Sequence, residues 1–387
     1  MTRKYLLSII IPTKNRQYYC LHSVKQILAS YGEEVEIVVQ DNSDVPSLEN
    51  DIKQLSFNNI VYNYKAGTLS FVDNFDLAIQ HASGEYLMII GDDDGVTSLA
   101  LKVTKWANTN NIDAIRPSLS FVFFWPGSKV FESDDNGILN IYSFDGKMTG
   151  YNPQDGLRQL LRNGCQNYLD CEIIKLYHGI VRKDLLESIK EKTGKYVDGL
   201  SPDIYLSVAL SLVSNKKAVS INLPVTISGI CTGSGSSQSA TGEHTGKLED
   251  APHFKGHSEY EWDFRIPRFY SVETIWGDSA LAAVKDINPE FIKYYRPETL
   301  IYRCLRKYPQ FREIIISNYK INGGTFIILG RYVCSRVKNK LMRKMQKEQE
   351  NIPVFSIKNI KTIEDASKEC ESWIEKSKIL ESVAIEE

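Results

Sequence analysis

The chain has 387 residues, of which 42% are hydrophobic and 24% charged, with a formal net charge of −2. That length exceeds one ordinary core, so a main domain with appendages is expected. The near-neutral balance supplies no field for nucleic acid, and no apolar run approaches the ~18 residues that span a bilayer.

In chain order, Leu6 to Pro12 reads as a strand and residues 17–30 as a helix. Val35 to Gln40 is a strand, 46–55 a short helix, and Ile60 to Tyr64 a strand. Phe71 to Ala82 is a helix with Phe71, Phe75, Ala78 and Ile79 on one face. Tyr86 to Ile90 is a strand, 97–110 a helix, and Asp113 to Arg116 a short strand. Ile- and Val-rich strands without polar alternation mark a parallel sheet covered on both faces. The β-α-β order makes this a doubly wound α/β sheet.

After Pro117 the pattern changes. Residues 118–142 carry aromatics and the turn signals Pro126-Gly127 and Asn136-Gly137, read as hairpin material. Helices are expected at 153–163, 183–192 and 202–214, and strands at 176–181 and 218–223. Residues 231–258 read as a Gly/Ser-rich lid loop. The region 259–387 reads as a helical extension. Within it, 331–347 is a basic amphipathic helix, and 362–380 is amphipathic through Ile363, Ala366, Cys370, Trp373 and Leu380. The domain expectation is therefore 1–230 catalytic (1–116 for nucleotide, 117–230 for acceptor), the lid, and the extension. Cys20, Cys165, Cys171, Cys231, Cys304, Cys334 and Cys370 form no CxxC pair, which points to reduced structural thiols. Met1 to Lys4 lead straight into a strand, so a cytoplasmic protein without a signal peptide is expected.

Four strand ends carry the chemistry: Pro12-Thr13-Lys14-Asn15-Arg16, Asp41-Asn42-Ser43-Asp44, Lys65-Ala66-Gly67, and Gly91-Asp92-Asp93-Asp94-Gly95. In a parallel sheet these ends share one edge, where such folds bind ligands. Three adjacent carboxylates are costly without a positive partner, and a divalent Mg²⁺ or Mn²⁺ would supply one. Asp41 suits hydrogen bonds from a nucleobase or ribose, Lys65 and Arg16 suit phosphate, and Asn74 suits a phosphate or an ordered loop. Each has a plain alternative: Asp41 as a turn and helix cap, the cations as solvated side chains, the Asp triplet as a solvated loop.

The first third of the chain resembles a family 2 glycosyltransferase of the GT-A fold. The matching pieces are residues 8–16, residues 36–43, Gly67 followed by Asn74 and Ala78, and Ala82-Ser83-Gly84-Glu85-Tyr86 leading into Asp92-Asp93-Asp94. The resemblance implies that Pro12, Thr13, Arg16 and Asp41 hold the nucleotide of a nucleoside-diphosphate sugar; Asn15, Lys65 and Asn74 are donor-site candidates beside them. It implies that Asp92 and Asp93 approach ribose, diphosphate or metal water, that Asp94 ligates Mn²⁺ or Mg²⁺, and that the anomeric centre inverts. A UDP-sugar is the favoured donor, and a glycan or lipid-linked glycan of a bacterial surface polysaccharide the acceptor. Asp203, in Ser201-Pro202-Asp203, stands where the family places its base, although many members have Glu-Asp there. A helix cap is the alternative, and Asp198 is the second choice for the base. His244 in the lid is a candidate metal ligand beside Glu243, with Lys247 as a phosphate contact; a solvated histidine is the alternative.

Aromatics Phe123, Phe124, Trp125, Tyr142 and Tyr168 are candidates for stacking on acceptor sugar, or for core packing. The 331–347 helix suits an anionic membrane, which would place the protein peripherally on the inner face of the cell membrane; packing on the domain is the alternative. The terminal amphipathic helix is a candidate for homo-oligomer contacts. Two competing functions stand beside transfer. A nucleotidyltransferase would carry a Gly-rich phosphate loop after the first strand, which Pro12 to Arg16 lacks; a non-catalytic glycan-binding protein would keep the fold without turnover.

Overall fold

The computed structural model describes residues 5–128, 136–215, 218–232, 245–248, 260–319, 330 and 353–379. The first half alternates as expected: β1 (Leu7–Thr13), α1 (Gln17–Tyr31), β2 (Glu36–Asp41), α2 (Leu48–Leu55), β3 (Ile60–Tyr64), α3 (Phe71–His81), β4 (Tyr86–Ile89), β5 (Gly95–Val96), α4 (Leu99–Thr109) and β6 (Ala114–Ser118). Next come β7 (Phe121–Phe124), β8 (Ile138–Ile141), β9 (Met148–Tyr151), α5 (Pro153–Arg162), β10 (Ile180–Arg182), α6 (Lys183–Thr193), α7 (Pro202–Val213), β11 (Ala218–Pro224) and β12 (Thr226–Ile230). The remainder holds β13 (Thr245–Gly246), β14 (Tyr270–Ser271), α8 (Val272–Ile287), α9 (Glu298–Lys307), α10 (Arg312–Tyr319), β15 (Phe355–Lys358) and α11 (Ile363–Ser377).

The main sheet has eight strands in the order β3-β2-β1-β4-β10-β6-β11-β9. β1 to β4 are mutually parallel, β6 and β11 run parallel to each other, and β10 and β9 run against their neighbours. This is the mostly parallel α/β sheet that the sequence leads one to expect. Strand side chains alternate between two cores: Leu7, Ile9 and Ile11 of β1 enter one cluster and Ile10 the other. Both faces are covered, so every residue of β1 is buried.

A second sheet, β15-β8-β7-β12-β5, forms from the expected hairpin of β7 with β8, joined by β12 and the C-terminal β15. The helices of 272–319 pack into the same core as α5 and α7. The terminal helix α11 buries Ile363, Ala366, Cys370 and Ile374 against α1 and the second sheet, so the face expected to drive self-association is covered within the chain. Two smaller expectations are corrected. Phe71 is exposed and Val72 takes its place in the core. The strand expected at 176–181 begins only at Ile180, because His178 has φ 58°, which no strand tolerates. Among the described residues no helix is long and apolar enough to cross a membrane. His244, the 331–347 helix, Cys334, Leu380 and most of the 231–258 loop lie outside the described residues.

Candidate active site

The chain leaves β4 at the C-terminal edge of the sheet and turns back at once, with the Asp94 amide donating to Gly91 O at 3.2 Å. Asp92, Asp93 and Asp94 are each at most 4% exposed. Three carboxylates so placed lose hydration and repel one another, so each needs donors. Arg16, at the head of α1, serves two of them: its guanidinium pairs with Asp92 and, at 2.7 Å, with Asp93. Thr13 Oγ1 donates to the other oxygen of Asp92 at 2.6 Å, and the Cys231 amide to that of Asp93 at 3.1 Å. Burial raises both acids, Asp93 to about 7, although Arg16 pulls the other way.

Asp94 is held differently. Its Oδ1 accepts the Gly229 amide at 2.6 Å and its Oδ2 the Gly91 amide at 2.6 Å. Tyr177 O–H and His178 Nε2 each stand 3.2 Å from Oδ2. Burial is here outweighed by His178 and the two amides, so this carboxyl sits below its ordinary range. His178 Nδ1 lies 2.9 Å from Thr226 Oγ1; when the threonine hydroxyl donates there, Nε2 carries its proton toward Asp94. Gly229 must be glycine, because a Cβ would fall 1.8 Å from Asp93 O. Behind the turn, Ser23 Oγ lies 2.9 and 2.6 Å from the carbonyls of Asp92 and Asp94, and Trp125 Nε1 donates to Asp93 O at 2.8 Å.

The neighbouring strand ends lie beside one another in register. Thr13 pairs in register with Asp41, and Asp41 with Tyr64. Asp41 is fully buried and accepts the Ser43 amide at 2.7 Å and the Tyr62 hydroxyl at 2.8 Å, which is the turn-capping arrangement. Asn15, at φ 57°, locks two loops by exchanging hydrogen bonds with Asp44 at 2.9 Å. Pro12 is buried in β1, and Lys65 is exposed. Asn74 Nδ2 donates to Thr13 O at 3.3 Å, while its buried Oδ1 has no hydrogen-bond partner, and neither has Arg16 Nε. Unsatisfied buried polar atoms are rare and mark a place where a polar ligand fits.

Asp203 lies in the first turn of α7, where Ser201 Oγ donates to one oxygen at 2.8 Å and Tyr168 O–H to the other at 2.9 Å. Burial and the fields of Asp94, Asp93 and Asp203 together push the phenol of Tyr177 well up. Asp198 instead pairs with Lys195 at 2.6 Å. Of the aromatics proposed for sugar stacking, Phe123, Phe124, Trp125 and Tyr168 are buried in the core. Tyr177 and His178 were missed by sequence reasoning. Their one signal was a Tyr-His-Gly run inside a strand candidate, where the glycine marks a break.

As placed, these residues do not form a metal site. Arg16 occupies Asp92 and Asp93, donors surround Asp94, and among the described residues no group of three or more His, Cys, Asp or Glu side chains is set to hold an ion.

Comparison with known proteins adds the following. The family model described as glycosyl transferase family 2 matches residues 8–115. No curated protein matches. Similar solved structures include Staphylococcus aureus TarS 1–349 in complex with UDP, at 16% identity and TM-score 0.42, over 58% of this chain and 60% of that one. The same protein in complex with UDP-GlcNAc is 15% identical, with TM-score 0.46, over 81% of this chain and 89% of that one. The mannosyltransferase PcManGT from Pyrobaculum calidifontis, in complex with GDP-Man and Mn2+, is 12% identical, with TM-score 0.37, over 96% and 88%. The family match falls on β1 to β6, the part of the sheet that builds the acidic turn.

Proposed function

We propose that this protein moves a glycosyl group from a nucleoside-diphosphate sugar to a hydroxyl of a glycan or lipid-linked glycan, with inversion, in one displacement. The observation that carries the reading is Arg16, held between Asp92 and Asp93 at the ends of β1 and β4, with Thr13 on Asp92 and Asn74 on Thr13.

The donor's diphosphate would compete with Asp92 and Asp93 for Arg16, a guanidinium suited to phosphate oxygens. Arg16 Nε would then donate to a phosphate oxygen, and Asn74 Oδ1 would accept from a hydroxyl of the donor's ribose or sugar. Asp203 would accept the proton of the attacking hydroxyl, its orientation fixed by Ser201 and Tyr168. Positioned proton transfer of this kind is worth about 10²–10⁴ in rate.

The experiment is calorimetric titration with UDP, GDP and their sugars, with Mn²⁺ and again with chelator, followed by a transfer assay. Selective binding of one nucleotide supports the reading; binding of none defeats it. Asp203→Asn is expected to cut transfer by about 10²–10⁴ with unchanged nucleotide affinity. Near-normal turnover in that variant would move the base elsewhere.

A further inference from the structure

A second polar cleft, of about 350 Å³, opens on the same sheet edge between the ends of β6 and β11 and the start of β9. Its lining includes Arg116, Ser118, Asp145, Lys147, Thr149 and Asn222. Neither Arg116 nor Lys147 forms an ion pair among the described residues. The one acid, Asp145, already accepts the Lys147 amide at 3.0 Å and the Asn222 side-chain amide at 2.8 Å through a single oxygen. The lining thus carries two cations without an ion-pair partner among the described residues against one anion, with hydroxyl and amide groups around them.

The cleft is tied to the proposed base. Arg116 Nη2 donates to Leu169 O at 3.0 Å, and Lys175 Nζ to the same oxygen at 2.6 Å. The preceding residue, Tyr168, donates to Asp203. From β4 to β11 the sheet takes three strand steps, or about 14 Å at the usual strand spacing. That is beyond the reach of a single hexose.

We propose that this cleft binds a phosphate borne by a hydroxylated ligand, the acceptor, with Arg116 and Lys147 on the anionic oxygens and Asp145 on a hydroxyl. A carboxylate would be satisfied by the arginine fork alone, whereas a phosphate ester has oxygens for both the fork and a point-charge ammonium. The name acceptor rests on the glycosyl-transfer reading; the anion preference rests on the cleft.

The test titrates the full chain with glycerol 3-phosphate, with glycerol as uncharged control, and with phosphatidylglycerol vesicles, beside the preferred nucleotide. Wild type is expected to bind the phosphate and not glycerol. Arg116→Gln with Lys147→Gln should weaken phosphate binding about tenfold, as loss of charge-assisted contacts does, and leave nucleotide affinity unchanged. Lys147→Gln alone, at an exposed position just before β9, keeps the test open should the double variant misfold. Binding to vesicles that the variant loses identifies a lipid-borne phosphate, while binding to the soluble ester alone identifies a phosphate on a glycan. Equal binding by wild type and variant, or none by wild type, overturns the proposal. Phosphate binding without any nucleotide binding would sink the transfer reading and leave the cleft assignment standing.

Discussion

Arg16 is the counter-ion of the acidic turn, and its removal tests how that turn is balanced. Arg16→Met would leave Asp92 and Asp93 buried without their cation, at a cost of about 3–5 kcal/mol. Thermal unfolding should show that loss. Mn²⁺ should then raise the midpoint more in the variant than in wild type, because an added cation would replace the guanidinium; equal shifts would count against this role. These residues were legible in the sequence because they follow strands, and strand ends in a parallel sheet converge. His178 was not. It reaches Asp94 only because a left-handed residue breaks the chain just before an antiparallel strand, and neither direction nor φ can be read from residue types alone. Gly229 was missed for the same reason: its close approach to Asp93 is a long-range fact.

At the scale of elements, α4 is capped from outside its own sequence. Its N-cap Ser98 makes no capping bond of its own; instead Glu371 on α11 accepts the Ser98 amide at 2.7 Å and hydroxyl at 2.6 Å. A carboxylate at a helix N-terminus gains from the dipole as well. Glu371→Ala is expected to cost about 1–2 kcal/mol, read as a lower urea midpoint with an unchanged slope. An unaltered midpoint would make the contact incidental. The same helix braces α1: His22 Nδ1 lies 2.7 Å from Glu364, and Gln26 Nε2 donates to Ser367 at 3.0 Å and to Val96 O at 2.8 Å. The amphipathic stripe of α11 was plain in the sequence, since periodicity shows that a face is buried. What covers it was not, because periodicity is silent about partners. The pairing of β15 with β8 was hidden likewise: four residues separated from their partner strand by 216 positions carry no local signal.

For the molecule as a whole, buried acids set the response to pH. Asp278 on α8 is 1% exposed, accepts the Tyr260 hydroxyl and, at 2.8 Å, the Asp263 amide, and burial pushes it to about 7 from an ordinary 3.8. Between those values the native state holds a proton that the unfolded state has lost, so stability falls as pH rises from about 4 to about 7. Asp93 acts in the same direction. Asp278→Asn should flatten part of that slope in scanning calorimetry across the window; an identical slope would assign the effect elsewhere. The covalent distance of the brace from the turn it supports also has a kinetic consequence. His22 and Glu364 are 342 residues apart, and Ser98 and Glu371 are 273 apart. Such contacts close slowly. A nascent chain will expose every proposed catalytic side chain well before residues 353–379 emerge from the ribosome to seat behind them, so the acidic turn goes unbraced until that segment follows.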